Sequence, residues 1–400
     1  MIVLVLNAGS STLKYYLYRM PAGQSIAKGE IDRIGTDDSS FSYYHNEKEN
    51  KLSLPVREHK EGVALILRQL TEKPDGVIKE LNEIKAAGHR IVHGGSEFTE
   101  DIVINENVIK SLDKLTDIAP LHNRPGINCI LAAQKMLPHI PHVACFDTVF
   151  HKTIPPAAYT YGLPSELCMK YNIRRYGFHG LSYNYVSEKV AELMSKKKDE
   201  LNAVICHLGN GCSTAAIKNG RSIDTSMGFT PLEGLVMGTR CGDIDPEIVF
   251  FLMDKGYDYK QLVKILNKES GLAGISGVSN DMRTLLKLAS QGHEQAKLAI
   301  DVFTYRVKKY IGAYIAITGY IDALVFTGGI GENSPLIRKQ ICQGLEHLAI
   351  EIDDAFNNDF VSREGCISDS KSRTKVLVIP TNEELIIANK THKLTSQVIY

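Results

Sequence analysis

Short apolar runs alternate with longer segments of mixed polarity along the whole chain. Ile2 to Leu6 is continuously apolar and ends at a polar glycine turn, the pattern of a strand buried on both faces. Leu13 to Tyr18 predicts a second strand, and NAGSS at 7–11 predicts the hairpin loop that joins them. Apolar positions 63, 66, 67 and 70 fall at helical spacing and predict a helix over 62–70. Further strands are predicted at 143–146, 203–208, 323–326 and 376–379, with amphipathic helices around 182–194, 294–317 and 334–345. The polar, weakly patterned stretch 353–374 reads as loop with short helix.

Alternation of this kind implies an α/β architecture. A chain of 400 residues is also too long for one ordinary core, so two domains are expected. An internal echo supports two related halves. VLVLNAGSSTLKYYLY near the start resembles VICHLGNGCSTAAIKNG from residue 204, and both read strand, glycine–polar hairpin, strand. The boundary is expected near Phe150, just before the proline-bearing KTIPPAAY.

Hydrophobic residues make up 44% and charged residues 23%, the profile of a soluble globular protein. Lys+Arg and Asp+Glu are both 46, so the formal net charge is zero. That argues against nucleic acid or an anionic membrane as the main partner and makes any anion site local. The first apolar run lacks a basic flank and is too short for a signal peptide, and no other run is long enough to span a bilayer. Eight cysteines are scattered without a C-x-x-C pair, which argues against zinc and predicts free thiols in a cytoplasmic setting.

The chain has no P-loop, H-E-x-x-H or G-x-S-x-G motif. It carries glycine-rich turns after strands instead: NAGSS at 7–11, GNGCS at 209–213 and TGGIGEN at 327–333. Backbone N–H groups freed in such turns form anion nests, so a phosphate cradle is predicted. Asn7, Ser10, Ser11, Thr12 and Lys14 surround the first turn, where ordinary turn chemistry is an equal alternative.

Polar clusters also interrupt apolar segments. Arg90 lies between His89 and His93, His122 follows Pro120, Asp147 follows a strand, and His179 follows Phe178. Together they point to one shared cleft. LVMGTRCGDIDP at 235–246 sets Arg240 and Cys241 between glycines, ahead of Asp243 and Asp245. The guanidinium fork suits phosphate or carboxylate, and flanking glycines allow close approach. Taken alone, the fragment reads first as a surface turn with a solvated arginine and a buried thiol.

VLNAGSSTLK, GHRIVHGG, CFDTVFH, RRYGFHG, DTSMGFTPLEGLVMGTRCGDIDP, VFTGGIGEN and IPTNEE together resemble the acetate kinase family. This is a family of short-chain acyl kinases within the sugar kinase, heat-shock chaperone and actin superfamily. The resemblance spans nearly the entire chain. It implies a duplicated ribonuclease-H-like, actin-like ATPase fold with the active site in an interdomain cleft. The implied division is 1–150 plus 383–400 as the acyl-kinase domain and 151–382 as the nucleotide domain.

The implied reaction is reversible transfer between ATP and acetate, giving ADP and acetyl phosphate. Mg²⁺ is the implied metal, with Mn²⁺ as a substitute. By resemblance Arg90 and Arg240 flank acetate and the transferring phosphoryl, while His179 and His122 donate to it. Asp147 orients an arginine, and Asn7 and Glu383 hold the metal. Val92, Leu121, Phe178 and Pro231 match the acetate pocket; propionate kinases tend to carry a smaller residue at the Val92 position.

Ser10, Thr12, Lys14, His207, Gly209, Asn210 and Gly211 are expected on the nucleotide phosphates. Asp281, Met282, Arg283, Gly329, Ile330, Gly331 and Asn333 are expected around the nucleotide. A homodimer is also implied. The alternatives are a propionate or butyrate kinase, or an actin- or chaperone-like conformational ATPase. Departures from the family pattern include Arg124, expected to add charge near the cleft, Leu181 and Tyr183 in GLSYNYV, and the thiols Cys212 and Cys241. Beside a cationic site Cys241 is expected to be acidified.

Overall fold

The computed structural model describes residues 1–45, 48–73, 76–117 and 120–396, with side chains at all of these except 45, 48, 117 and 120–122. The chain divides into two compact units, Met1–Val149 with Asn382–Tyr400, and Phe150–Thr381. Among the described residues no helix is long and apolar enough to cross a membrane.

The first unit holds β1 (Ile2–Ala8), β2 (Thr12–Arg19), β3 (Gln24–Asp32), β4 (Ser40–His45), β5 (Lys48–Ser53), β6 (Ile84–Ile91), β7 (Ile102–Val103) and β8 (His142–Phe146). They form one sheet in the order β5-β4-β3-β2-β1-β6-β8-β7. The apolar run in β1 is buried on both faces because β1 is central, antiparallel to β2 and parallel to β6. β2 instead alternates, burying Leu13, Tyr15 and Leu17 against Ile31 and Phe41. The helix His59–Thr71 buries Val63, Ile66, Leu67 and Leu70 against that core, matching the predicted spacing. The helix Glu383–Ser396 packs on β1, β6 and β8. It comes so near β6 that a Cβ at Gly88 would lie 2.3 Å from Thr391 Oγ1.

The second unit holds β9 (Ala203–Leu208), β10 (Cys212–Lys218), β11 (Arg221–Thr225), β12 (Ala323–Thr327), β13 (Gly365–Cys366) and β14 (Lys375–Val378), in the order β11-β10-β9-β12-β14-β13. Strand β9 pairs antiparallel with β10 and parallel with β12, which pairs parallel with β14. The five-strand run β11-β10-β9-β12-β14 therefore repeats β3-β2-β1-β6-β8 in order and direction. That is a ribonuclease-H-like sheet used twice, and the echo read in the sequence is its trace. The stretch 353–374 contains the short helix Asp354–Asp359 and strand β13. TGGIGEN departs from expectation, since Gly328–Asn333 is a short helix rather than an open turn.

Candidate functional site

Each unit places several of its predicted residues at the ends of its central strands, and others on adjoining loops and helix starts. In the first, Asn7 ends β1, Arg90 lies near the end of β6, Asp147 follows β8, and Glu383 starts the helix Glu383–Ser396. Arg90 makes a two-point pair with Asp147, Nε to Oδ1 at 3.2 Å and Nη2 to Oδ2 at 2.7 Å. Its Nη1 reaches Glu383 Oε2 at 3.2 Å and donates to Asn7 Oδ1 at 3.5 Å. Asn7 Nδ2 donates in turn to Glu384 Oε1 at 3.2 Å.

Burial works against the Arg90 charge, but Asp147 and Glu383 outweigh it and push its pKa above the ordinary value. Burial pushes Glu383 up to about 7, opposed by Arg90 and reinforced by Asp147 and Glu384. A crowded set of carboxylate and amide oxygens is the donor chemistry of a hard divalent cation. Among the described residues no group of three or more His, Cys, Asp or Glu side chains could hold a metal ion, so Asn7 and Glu383 would offer only a few protein oxygens. An open, oxygen-only set fits Mg²⁺, which keeps several waters.

Lys14 faces Asn7 across the β1–β2 pair and reaches Glu30 at 3.9 Å. Ser10 is exposed in the hairpin loop, and Thr12 opens β2. Val92 is half-buried just after β6. The adjoining loop is pinned to the helix Pro120–Met136 by Asn123, which accepts from His93 N–H (3.0 Å) and donates to its carbonyl (2.9 Å). Leu121 and His122 belong to that helix, and their side chains lie outside those described. Arg124 corrects an expectation: it is exposed and pairs with Asp113 at 2.9 Å, so its charge is already met at the surface.

In the second unit, His179 caps the helix Gly180–Leu193 in left-handed backbone (φ 57°, ψ 23°). Gly177 permits that turn, because a Cβ there would meet Thr225 at 2.4 Å and the His151 ring at 2.8 Å. His179 Nδ1 hydrogen-bonds Ser213 Oγ (2.8 Å), and its ring stacks on His207 with centroids 4.2 Å apart. His207 Nδ1 bonds Ser182 Oγ at 2.8 Å, which accepts from Thr381 Oγ1 at 2.8 Å. Tyr183 and Leu181 are fully buried, and the Tyr183 hydroxyl also bonds Ser213. Phe178 is buried and its carbonyl accepts from His151 Nε2 at 2.9 Å.

Arg240 is half-buried and donates through Nη1 to the Pro231 carbonyl (2.9 Å) and to Met237 Sδ (3.5 Å). A Cβ at Gly211 would sit 3.5 Å from His179 Nε2 and 3.7 Å from Arg240 Nη1, so both side chains converge on the GNGCS turn. Among the described residues Arg240 forms no ion pair, and burial pulls its pKa below the ordinary value.

The glycines beside Arg240 serve the protein rather than clearing room for a ligand. A Cβ at Gly238 would lie 1.9 Å from Asn210 Oδ1, and at Gly242 (φ +68°) 2.4 Å from the Leu235 carbonyl. Asp243 holds the loop by accepting from Gly234 N–H (2.9 Å) and the Tyr310 hydroxyl (2.7 Å). Asp245 accepts from Glu247 N–H at 3.0 Å. The expected acidity of Cys241 is overturned: burial and then Asp243 push its thiol up. Burial likewise pushes Cys212 up to about 12.

A cavity of about 570 Å³ in the first unit includes Ser10 on its wall. One of about 730 Å³ in the second is lined by Gly209, Asn210, Asp281, Met282, Arg283, Gly329, Ile330 and Asn333, all predicted from the sequence. It adds Asn280, Leu286 and Ser334, which the sequence did not single out. Asp281 caps the helix Met282–Ser290 and pairs with Arg283 at 2.7 Å, while Met282 is buried. Gly331 is buried beneath the cavity wall, against Phe326 and Leu208. Ser182, Ser213 and Glu384 were also missed. Ser182 lies one helical turn after His179 and Ser213 lies inside GNGCS, so spacing could have found both; Glu384 gave no signal beyond its neighbour.

Comparison with known proteins agrees with this arrangement. Residues 2–389 match the model of the Acetokinase family. An acetate kinase of Thermotoga maritima is 48% identical over 399 residues, covering 99% of each chain. The crystal structure of Porphyromonas gingivalis acetate kinase matches at TM-score 0.93 and 41% identity, over 98% of this chain and 99% of that one. A propionate kinase from Francisella tularensis matches at TM-score 0.92 and 42% identity, again over 98% and 99%. With a family model across nearly its full length, two ribonuclease-H-like sheets and the motif residues gathered at their strand ends, this chain belongs to the Acetokinase family.

Proposed function

We propose that this chain is an acetate kinase, transferring a phosphoryl group reversibly between ATP and acetate. The observation that carries the mechanism is the convergence on the GNGCS turn of His179 and of Arg240, which has no ion pair among the described residues. Acetate is ionised at neutral pH and needs no general base. Its carboxylate oxygen attacks the γ-phosphorus in line, and the bond from that phosphorus to the bridging oxygen breaks as ADP leaves.

The obstacle is repulsion between two anions, so fixed positive charge and hydrogen-bond donors do the catalysis. Arg240 and His179 stabilise the equatorial oxygens of the transferring group. Arg90, held by Asp147, orients acetate, with Val92, Leu121, Phe178 and Pro231 around the methyl group and His122 beside it. Ser10, Thr12, Lys14, His207, Gly209, Asn210 and Gly211 contact the polyphosphate. Asp281, Met282, Arg283, Gly329, Ile330 and Asn333 enclose the nucleoside in the 730 Å³ cavity, with Gly331 beneath its wall. Asn7 and Glu383 would hold Mg²⁺, with Mn²⁺ as a substitute, which would supply charge neutralisation at the phosphates.

Two further proposals concern the protein's setting. The helix Glu247–Asp254 buries none of its residues and exposes Phe250, Phe251 and Met253, an apolar face that supports the homodimer implied by the family resemblance. Light scattering on the purified protein tests it. The free cysteines support a cytoplasmic location.

Hydroxamate trapping of acetyl phosphate tests the reaction: acetate-dependent product is expected, and acetate-independent ATP hydrolysis would sink the reading. A propionate preference is the second reading, because the propionate kinase matches this fold as well as the acetate kinase does. Val92 favours acetate, and kcat/KM for acetate, propionate and butyrate decides.

A further inference from the structure

The segment just before His179 carries a network that none of these roles uses. Arg175 donates through Nη1 to the carbonyls of Thr225 (2.9 Å), Ser226 (3.3 Å) and Met227 (3.2 Å). Its Nη2 donates to Glu233 Oε1 at 2.6 Å. The other Glu233 oxygen accepts from the Tyr161 hydroxyl, and that hydroxyl oxygen accepts from Phe229 N–H at 2.8 Å. The amides of Tyr176 and Gly177 both donate to the Gly228 carbonyl, at 3.0 and 3.3 Å.

These bonds fasten the segment 225–233 along its length. Its middle carries Pro231, whose carbonyl holds Arg240. Gly228 shows how closely the parts fit: a Cβ there would lie 1.7 Å from Glu233 Oε2 and 2.1 Å from the Tyr161 hydroxyl. Arg90 is aimed by two carboxylates, whereas Arg240 rests on neutral acceptors only, the Pro231 carbonyl on a loop and the weaker Met237 Sδ. A neutral acceptor on a loop orients a guanidinium only as well as the loop itself is held.

We propose that Arg175, Glu233 and Tyr161 are positioning residues for phosphoryl transfer: they fix the 225–233 segment so that the Pro231 carbonyl aims Arg240. The same arginine lies four residues before His179, so the network ties the backbone of one donor to the anchor of the other. The proposal rests on the reading that Arg240 acts on the transferring group.

The test is a double-mutant cycle in the full chain, with ADP affinity measured alongside as the check that the second unit is folded. Glu233→Ala should lower kcat by about 10²-fold, the scale of an ångström misplacement, with ADP affinity unchanged. Glu233→Gln keeps one acceptor oxygen for the Arg175 guanidinium and should recover most of the loss. In the Arg240→Ala background, Glu233→Ala should cost nothing further. Multiplying losses in the double variant, or a lowered melting temperature with intact kcat, would overturn the proposal. If Glu233→Ala loses ADP binding, Tyr161→Phe runs the same cycle with an effect of about fivefold. Near-normal turnover in Arg240→Ala alone would instead remove the role of Arg240, so the two failures are told apart.

Discussion

Arg90 and Arg240 bear the same charge in different units and are held in opposite ways. Arg90 lies between Asp147 and Glu383, and those carboxylates push its pKa above the ordinary value against the pull of burial. Arg240 leans on a carbonyl and a thioether, and burial pulls its pKa down. The paired arginine is fixed in place but already satisfied, so an incoming anion must share it. The other forms no ion pair among the described residues, so an anion placed against it would gain the interaction in full. Under the proposed mechanism the first unit would supply geometry, and the second charge where it develops in the reaction.

The largest effect that would sharpen this contrast is expected at Arg240. Arg240→Ala should lower kcat by roughly 10²–10³, about 2.7–4 kcal/mol of transition-state stabilisation, with the melting temperature near wild type. Steady-state hydroxamate kinetics and calorimetry measure the two quantities; turnover close to wild type would erase the distinction.

Arg90→Ala should cost stability as well as turnover. It leaves buried Asp147 and Glu383 without their cation, a loss of about 3–5 kcal/mol when a buried pair is broken. Thermal unfolding of the two alanine variants side by side checks this, and equal melting temperatures would empty the pairing difference of energetic content.

A smaller effect is expected next to Arg90. Val92→Ala should raise kcat/KM for propionate relative to acetate by about tenfold, within the 1–3 kcal/mol that one methylene carries. An unchanged ratio would remove Val92 from the acid pocket. The smallest effect concerns the thiols beside Arg240. With Cys212 pushed up to about 12 and Cys241 also raised, both are overwhelmingly protonated at neutral pH. Iodoacetamide should label exposed Cys366 while turnover stays unchanged. Rapid inactivation protected by ADP would show that the Arg240 charge acidifies its neighbours after all.

Much of this site was legible before any coordinates. β9 spans the predicted 203–208, and eight residues predicted around the nucleotide line one cavity. Motif residues next to strand ends were legible because backbone position alone places them. Their partners were not. The pairing of Arg90 with Asp147, the bond from His207 to Ser182 and the clamp of Arg175 on Glu233 depend on which loop lies beside which. The glycines around Arg240 were read as space for a ligand, and the structure fills that space with Asn210 and the Leu235 carbonyl. Arg124 and Cys241 were read from their neighbours in sequence, whereas Asp113 and burial decide their state.

The sequence by itself determined the duplicated strand–hairpin–strand plan, because alternating and continuous apolar runs encode which strand is central and which lies outside it. It also determined the chemical inventory, since the motifs carry it in order. Only the tertiary structure decided that Arg90 is paired with carboxylates and that Arg240, among the described residues, is not. Asn7 meets Glu384 across 377 residues, and Arg90 meets Asp147 across 57. A charge is compensated by whatever side chain packs within a few ångströms, and distance along the chain says nothing about that.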